Sequence, residues 1–414
     1  MLGKSSKEKS ECFISENVDE LDKSYVRLKV CQNLPIEYEH AGKKYCLLHY
    51  PSLDKIEAFE KEFEKRLTAE DYDFKGVYFP SLISLFSKKF EKSINFHSAT
   101  FTKGIRVSST TFSDHVDFIG AIFIGDTYFY EVTFSQYVSF HAATFEEHSD
   151  ISFSKIRFEK EVDLDYAIFR GYVTFDGERE NQMFGKNSLI NLQNARLENP
   201  ERISFHSVRL QPNWFVNTDC RKFVFTACRW KRANGENIDT KSELENLLSP
   251  DYPHPHKLLT KTCWQLADNH EEMKSFPKAS IFRQMANESK RREDYKGWKI
   301  WSLHWWYWLS SYYGERPLQA LLILLGIIGA FVFYYHWSFF SICPKDVADS
   351  TKCVVRHMDW LESLHQSLIT AALQNVEYRK TLLPLQDLAI LLEKVLAPLQ
   401  AALLALAIRR KFMR

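Results

Sequence analysis

The sequence predicts a β-solenoid followed by an α-helical neck and two transmembrane helices with a re-entrant, pore-like helix between them. Three observations carry this expectation. Bulky apolar residues, mostly phenylalanine, recur at five- and six-residue intervals between Phe74 and Trp230. A stretch without fixed charge runs from Pro317 to Pro344, and a second apolar segment covers Leu382 to Ile408.

Residues 1–73 read as a cap, because a solenoid must close its ends. In LDKIEAFEKEFEKRL, the side chains of Ile56, Phe59, Phe63 and Leu67 fall on one helical face. Cys31, Cys46 and His49 lie just before it, with Cys12 upstream as a fourth candidate ligand. A structural zinc site needs four such groups converging at about 2.0 to 2.3 Å. The C-x14-C-x2-H spacing is irregular for a zinc module, so buried thiols beside a surface histidine are the competing reading, and no cofactor is expected. The opening MLGKSSKEKS has no apolar core, which excludes an ordinary secretory signal and places the N-terminal part in the cytoplasm.

Residues 74–230 hold the repeat. Phe96, Phe101, Val107, Phe112, Phe118, Phe123, Phe129, Phe134, Phe140 and Phe145 alternate in spacing between five and six, and after a two-residue slip the ladder resumes at Phe153, Phe158, Leu164, Phe169 and Phe175. A less regular tract follows through Leu192, Leu197, Phe205, Leu210, Phe215, Cys220, Phe225 and Trp230. Neither the helical period of 3.6 nor the strand period of 2 gathers these rings on one side. A coil that turns a corner about every five residues does. Small or β-branched residues such as Ala99, Ala121, Val132 and Ala143 stand two before many ladder positions, so a large and a small inward residue would fill each side.

The tracts INFHSATF, VDFIGAIF, VSFHAATF and VDLDYAIF resemble the phenylalanine-rich pentapeptide repeats. The resemblance implies a right-handed quadrilateral β-helix in which the central Phe or Leu and the small residue two before it point inward. The departure from strict fives suggests bulged corners. About twenty residues per coil at about 4.8 Å between backbones gives a rod about 35 Å long. Such a rod is a binding surface or spacer, and a protein partner is expected on its outward residues.

Residues 231–296 read as the neck, with helical patterns near His256–Glu271 and Lys278–Tyr295 and a basic run at Lys290, Arg291 and Arg292. Residues 297–316 read as an interfacial helix. Trp298, Trp301, Trp305 and Trp308 form one stripe, and tryptophan favours the headgroup boundary as a membrane-interface anchor.

Residues 317–414 read as a two-transmembrane domain. Leu318–Trp337 has the length needed to span a bilayer, Pro317 suits a first helical turn, and Gly326 and Ala330 form a small-xxx-small pair. Cys343 and Cys353 bracket a polar loop where an oxidising compartment would permit a disulfide. Spacing alone does not bring their Cβ atoms together, so two unrelated cysteines remain the alternative. DWLESLHQSLITAALQ has the pattern of a short re-entrant helix. In the second span Gln386, Glu393 and Gln400 repeat every seven residues, which suggests a water-filled or subunit-facing surface, or else external solvent.

The order span, pore helix, loop, span looks like two-transmembrane ion channels, and LSSYYGERP and LALAIRRKFMR resemble the tails of membrane-bound pentapeptide-repeat proteins. The resemblance implies an ion-channel-like pore in a homo-oligomer, with Gln374, Asn375, Glu377, Gln386, Glu393 and Gln400 as candidate pore-lining residues. The filter position reads Gln374-Asn375-Val376-Glu377-Tyr378 without glycine, so potassium selectivity is unsupported, and a ring of Glu377 or Gln374 would favour cations. The C-terminal RRKFMR predicts a cytoplasmic tail, hence a multi-pass inner-membrane protein with both termini inside.

Composition excludes several classes. The formal net charge of +1 gives no pull toward nucleic acid, and acidic and basic residues balance in the repeat, unlike a DNA-mimicking rod. Eight cysteines are too scattered for a disulfide-stapled domain. No phosphate loop, zinc-protease helix or nucleophile elbow is present, so no enzyme is expected. Two functions remain: a pore regulated by its cytoplasmic β-helix, or a non-conducting membrane-anchored interaction scaffold, with a stress or phage-defence effector role among the expectations.

Overall fold

The computed structural model describes Cys12, Cys31 and residues 34–178, 183–186, 188–232, 234–248, 252–293, 302–342, 354–374 and 379–412. The chain divides into two compact units, residues 1–273 and 274–414.

In the first unit the phenylalanine ladder builds a four-sided β-solenoid of about seven turns, its short strands lying in stacks of five, six, seven and four parallel members. In the regular coils each strand pairs with the one 22 residues further on, as Ile94 with Val116 and Val116 with Val138. The coil is therefore longer than the twenty residues expected, and its corners explain why. In the five-residue sides a backbone N–H bonds three residues back, as Ala99 to the Phe96 carbonyl and Ala121 to that of Phe118, both at 3.0 Å. The residue between is left-handed at Ser98, Gly120, Ala142 and Tyr166, the geometry of a type II turn. A second left-handed corner follows a four-residue strand at Ser87, Ser109, Glu131 and Lys155. Two tight corners and two wider ones per coil make the alternation of five and six.

Inside the coil, rings stack on rings. Phe79, Phe101, Phe123, Phe145 and Phe169 form one column with centroids 4.7 to 5.1 Å apart, and Phe96, Phe118 and Phe140 form another at 5.0 and 4.8 Å. Ala99, Ala121, Ala143 and Ala167 are fully buried beside them. The two-residue slip after Phe145 lengthens that coil, so that Val138 pairs with Val162. In the irregular tract Phe215 lies in a 3-10 turn and Cys220 outside any strand, yet both are buried.

Both solenoid ends are closed. At the start, helix α1 (Ile56–Thr68) lays Phe59 and Phe63 on Phe79 and Phe74, with centroids 5.2 to 5.8 Å apart. Ile56 is exposed and Leu67 half-buried, so the apolar face is narrower than the sequence pattern implied; Arg66 is buried instead, paired with Glu62 and Asp71. The far end carries helices α2 (Thr240–Glu245) and α3 (Pro255–Glu272). There the Asn269 amide donates to the carbonyls of Cys220, Arg221 and Phe223 at 2.7 to 3.2 Å, covering backbone acceptors that have no further coil to bond.

The second unit contains helices α4 (Phe276–Glu293), α5 (Leu303–Ser311), α6 (Pro317–Trp337), α7 (Trp360–Ala371) and α8 (Pro384–Phe412). The two helical patterns assigned to one neck thus fall in different units. Pro317 opens α6 as its spacing predicts, and Asp359 with Glu362 forms a capping box on α7. Between α6 and α7 the strand Phe339–Ile342 pairs antiparallel with Val354–His357 and with Arg379–Lys380. Both α6 and α8 are long and apolar enough to cross a membrane.

Candidate functional site

A hairpin, β1 (Tyr38–His40) and β2 (Lys43–Tyr45), turns through left-handed Ala41 and Gly42 and delivers Cys46 into a tight turn. The His49 N–H bonds the Cys46 carbonyl at 3.2 Å, which places Cys46 and His49 on the same side. Cys12 and Cys31 join them, so that three sulfurs and His49 Nδ1 all lie within 4.8 Å of one another. Cys31 and Cys46 approach Nδ1 to 3.1 Å and Cys12 to 3.5 Å; the Cys31 and Cys46 sulfurs are 3.3 Å apart. The Cys46 backbone N–H donates to the Cys12 sulfur at 3.1 Å.

His49 is 4% exposed, and its Nε2 sits 2.9 Å from the Lys75 carbonyl. A carbonyl only accepts, so Nε2 carries the hydrogen and Nδ1 turns toward the sulfurs. Contacts with Cys12 and Cys31, then the nearby imidazole, hold the Cys46 thiol well below its usual range, while hydrogen bonds with Cys12 and Cys46 push Cys31 up. Burial works against a charged imidazole, yet the Cys12 and Cys46 sulfurs push His49 up to about 9. Lys55 lies buried beneath, its ammonium donating to the carbonyls of Leu47 and Leu48 at 2.8 Å, and burial lowers it to about 7.

The other polar constellation lies in the second unit. Gln386, Glu393 and Gln400 share one face of α8, and all three are buried within the chain rather than turned to water or external solvent. Each makes a separate rung. Gln386 donates to the Phe339 carbonyl at 2.7 Å. Glu393 accepts from Tyr335 of α6 at 2.5 Å and from Ser367 of α7. Gln400 donates to the carbonyls of Ser310 and Ala320, both at 2.8 Å. The heptad was legible in the sequence, but Tyr335 and Ser367 were not, because their role depends on which helices meet.

Helix α7 repeats the pattern. Ser363, Gln366, Ser367 and Thr370 are buried, whereas Trp360, Leu361, Leu364 and Leu368 are exposed. Gln374, past its C-terminal end, is exposed; Asn375 and Glu377 lie outside the described residues. So do Cys343, Cys353, Trp298 and Trp301. Trp305 and Trp308 are half-buried on α5, with the Arg291 guanidinium 5.0 Å from the Trp308 ring. The Gly326 and Ala330 pair faces outward on α6, with open space around Gly326.

The YYGERP segment ties helix ends together. Tyr312, Tyr313 and Gly314 are all left-handed, a turn that brings Glu315 back against α4. Glu315 accepts from Arg283 and Ser280 of α4 at 2.8 and 2.7 Å, and Arg410 of α8 lies 3.6 Å away. Arg410 also donates to the Tyr313 carbonyl at 2.9 Å. A Cβ on Gly314 would meet the Tyr307 hydroxyl and Arg410, which fits glycine there on packing as well as on backbone angle.

Residues 89–133 match the family model described as Pentapeptide repeats (9 copies). No curated protein and no solved structure matches the chain. With regular coils of 22 residues, four stacked faces and inward phenylalanine columns, this chain carries a tract of pentapeptide repeats folded as a β-solenoid.

Proposed function

We propose that this chain is an integral membrane protein in which α6 and α8 span the bilayer, α7 re-enters it between them, and several copies assemble around an ion-channel-like pore regulated by the cytoplasmic solenoid. The observation that carries the membrane reading is the inverted polarity of the second unit. Gln366, Ser367, Gln386, Glu393 and Gln400 are inside, while Leu361, Leu368, Leu385, Leu391 and Leu399 are exposed. In water this arrangement opposes the hydrophobic effect. In hydrocarbon it is favourable, because lipid solvates the leucines and every polar group must find its partner within the protein.

Helix α7 has 12 residues, too few to span. Its outward leucines suit a helix that enters and leaves on one side. Arg409, Arg410 and Lys411 after the second span, with Lys290, Arg291 and Arg292 ahead of the first, support a cytoplasmic location for both ends of the module. The pore reading draws on the order of span, short helix and span, on exposed Gln374 past α7, and on the outward small residues of α6, which leave room for a neighbouring helix.

A second reading, an anchored interaction rod that conducts nothing, is favoured by the rungs. Gln386, Glu393 and Gln400 already spend hydrogen bonds within one chain, so they hold the bundle together and do not line water. The pore's polar lining would then come from Gln374 and its successors. Ion flux into liposomes carrying the full chain separates the readings. A pore gives cation flux well above empty liposomes, and Gln374→Lys cuts it tenfold or more without changing the melting temperature. Flux indistinguishable from empty liposomes, together with a monomer in mild detergent, contradicts the pore, since two spans per chain cannot enclose one.

A further inference from the structure

We infer that Cys12, Cys31, Cys46 and His49 bind one zinc(II) ion, and that this ion fastens the N-terminal segment to the first coil of the solenoid. The four groups are unequally matched. Three sulfurs point at a single nitrogen, His49 Nδ1, at 3.1, 3.1 and 3.5 Å. That nitrogen either accepts one hydrogen bond through its lone pair or, when protonated, donates one. Hydrogen bonding therefore leaves at least two of the three approaches unexplained, whereas a cation at the centre uses all four donor atoms.

The donor set selects the ion. Three thiolates and one imidazole nitrogen in a closed, four-fold cluster form a tetrahedral structural zinc environment, in which neighbouring ligand atoms stand about 3.5 to 3.8 Å apart for bonds of about 2.0 to 2.3 Å. The Cys31–Cys46 sulfur separation of 3.3 Å and the sulfur–nitrogen separations are close to those edges, so small shifts admit the ion. A disulfide needs sulfurs about 2.05 Å apart and would leave His49 Nδ1 and the third sulfur without a role.

The surroundings are those that tune a metal ligand. The Lys75 carbonyl accepts from His49 Nε2 and so fixes Nδ1 as the ligating atom. The Cys46 N–H donates to the Cys12 sulfur at 3.1 Å and so holds it facing the other donors. Binding exchanges Zn²⁺ for the protons of the cysteines still protonated and for the Nδ1 proton of His49 where it is present, all released to solvent; the sulfurs and Nδ1 supply electron pairs and nothing is oxidised or reduced. The assembled centre carries one net negative charge, and the buried Lys55 side chain sits nearby on the carbonyls of Leu47 and Leu48 in the same turn.

The site has a structural consequence. Lys75 lies in the first corner of the solenoid, and the Tyr78 N–H bonds the Leu48 carbonyl at 3.0 Å. The Cys46–His49 turn is thus already joined to the first coil. An ion held there would bring Cys12 and Cys31 into the same joint and complete the cap that α1 begins.

The test is metal analysis of the full-length chain, expressed with zinc and purified in detergent. The expected result is one zinc per chain in the wild type and in Cys220→Ser, whose thiol lies elsewhere in the core, with loss in Cys46→Ser and His49→Ala. Cobalt(II) replacement should give an intense thiolate-to-cobalt absorption in the wild type that Cys46→Ser lacks. Should Cys46→Ser misfold, Cys12→Ser keeps three ligands; it should retain the wild-type circular dichroism while yielding its metal to a chelator at least tenfold more readily. Less than a tenth of an equivalent of zinc with no cobalt absorption would overturn the inference. So would equal zinc in Cys46→Ser, or a Cys31–Cys46 disulfide in protein purified under reducing conditions.

Discussion

At the scale of single residues, the chain buries an ionisable group where an end must be closed. Glu243 on α2 is fully buried; one carboxyl oxygen accepts the Asn213 N–H at 2.9 Å, and the other has no hydrogen-bond partner among the described residues. Burial pushes this carboxyl up to about 8, with Asp239 adding to the rise and the Asn213 bond and Arg232 opposing it. The folded protein therefore holds a proton that the unfolded chain releases near pH 4 to 5. The resulting stabilisation is complete below that range and is lost as pH rises through about 8. The melting temperature should fall between pH 5 and pH 8, and Glu243→Gln should flatten that fall; an unchanged slope in the variant would contradict the assignment. Such residues were hardly legible in the sequence. Asn269 sits in an ordinary helical pattern and Glu243 in a stretch where no helix is expected, and their roles depend on which surface meets the last coil. Cys31, Cys46 and His49 were visible as ligand types, but their convergence with Cys12 depends on a hairpin and a tight turn that an irregular spacing does not reveal.

Among the elements, the coil was the most legible, because one spacing repeated many times has few physical explanations. What the spacing did not disclose was why five alternates with six. The answer lies in left-handed corners at residues as different as Ser98, Ala142 and Tyr166, which share no side-chain signature beyond following a ladder position by two. The columns make a quantitative claim. Phe118 is fully buried, stacked on Phe96 and Phe140 and edge-on to Phe129, whereas Phe86 at the end of a strand in another stack is 68% exposed. Phe118→Ala should cost about 3 to 5 kcal/mol in denaturant unfolding, and Phe86→Ala less than about 1 kcal/mol. Equal losses would mean that the columns do not carry the stability of the coil. In the second unit both apolar helices were legible from composition, and the seven-residue stripe was legible from spacing. Its direction was not, because a polar face on an apolar helix suits an aqueous pore and an inward bundle equally until its partners are seen.

The whole molecule joins a water-compatible solenoid, apolar inside and polar outside, to a unit of opposite polarity. The central claim is that this opposition marks two solvents, water around the first unit and lipid around the second. Its consequences follow from physical chemistry: the coil excludes water from phenylalanine, while the bundle excludes lipid from Gln386, Glu393 and Gln400. The most direct test places spin labels at Leu364 and Leu368 on α7 and at Leu391 and Leu399 on α8, all exposed, in full-length protein reconstituted in liposomes. Collisions with dissolved oxygen, which concentrates in hydrocarbon, are compared with those of a water-soluble nickel chelate. The account predicts that all four labels meet oxygen and are shielded from nickel, whereas a label at Phe86 of the solenoid meets nickel. Free access of nickel to the α7 and α8 labels would contradict it.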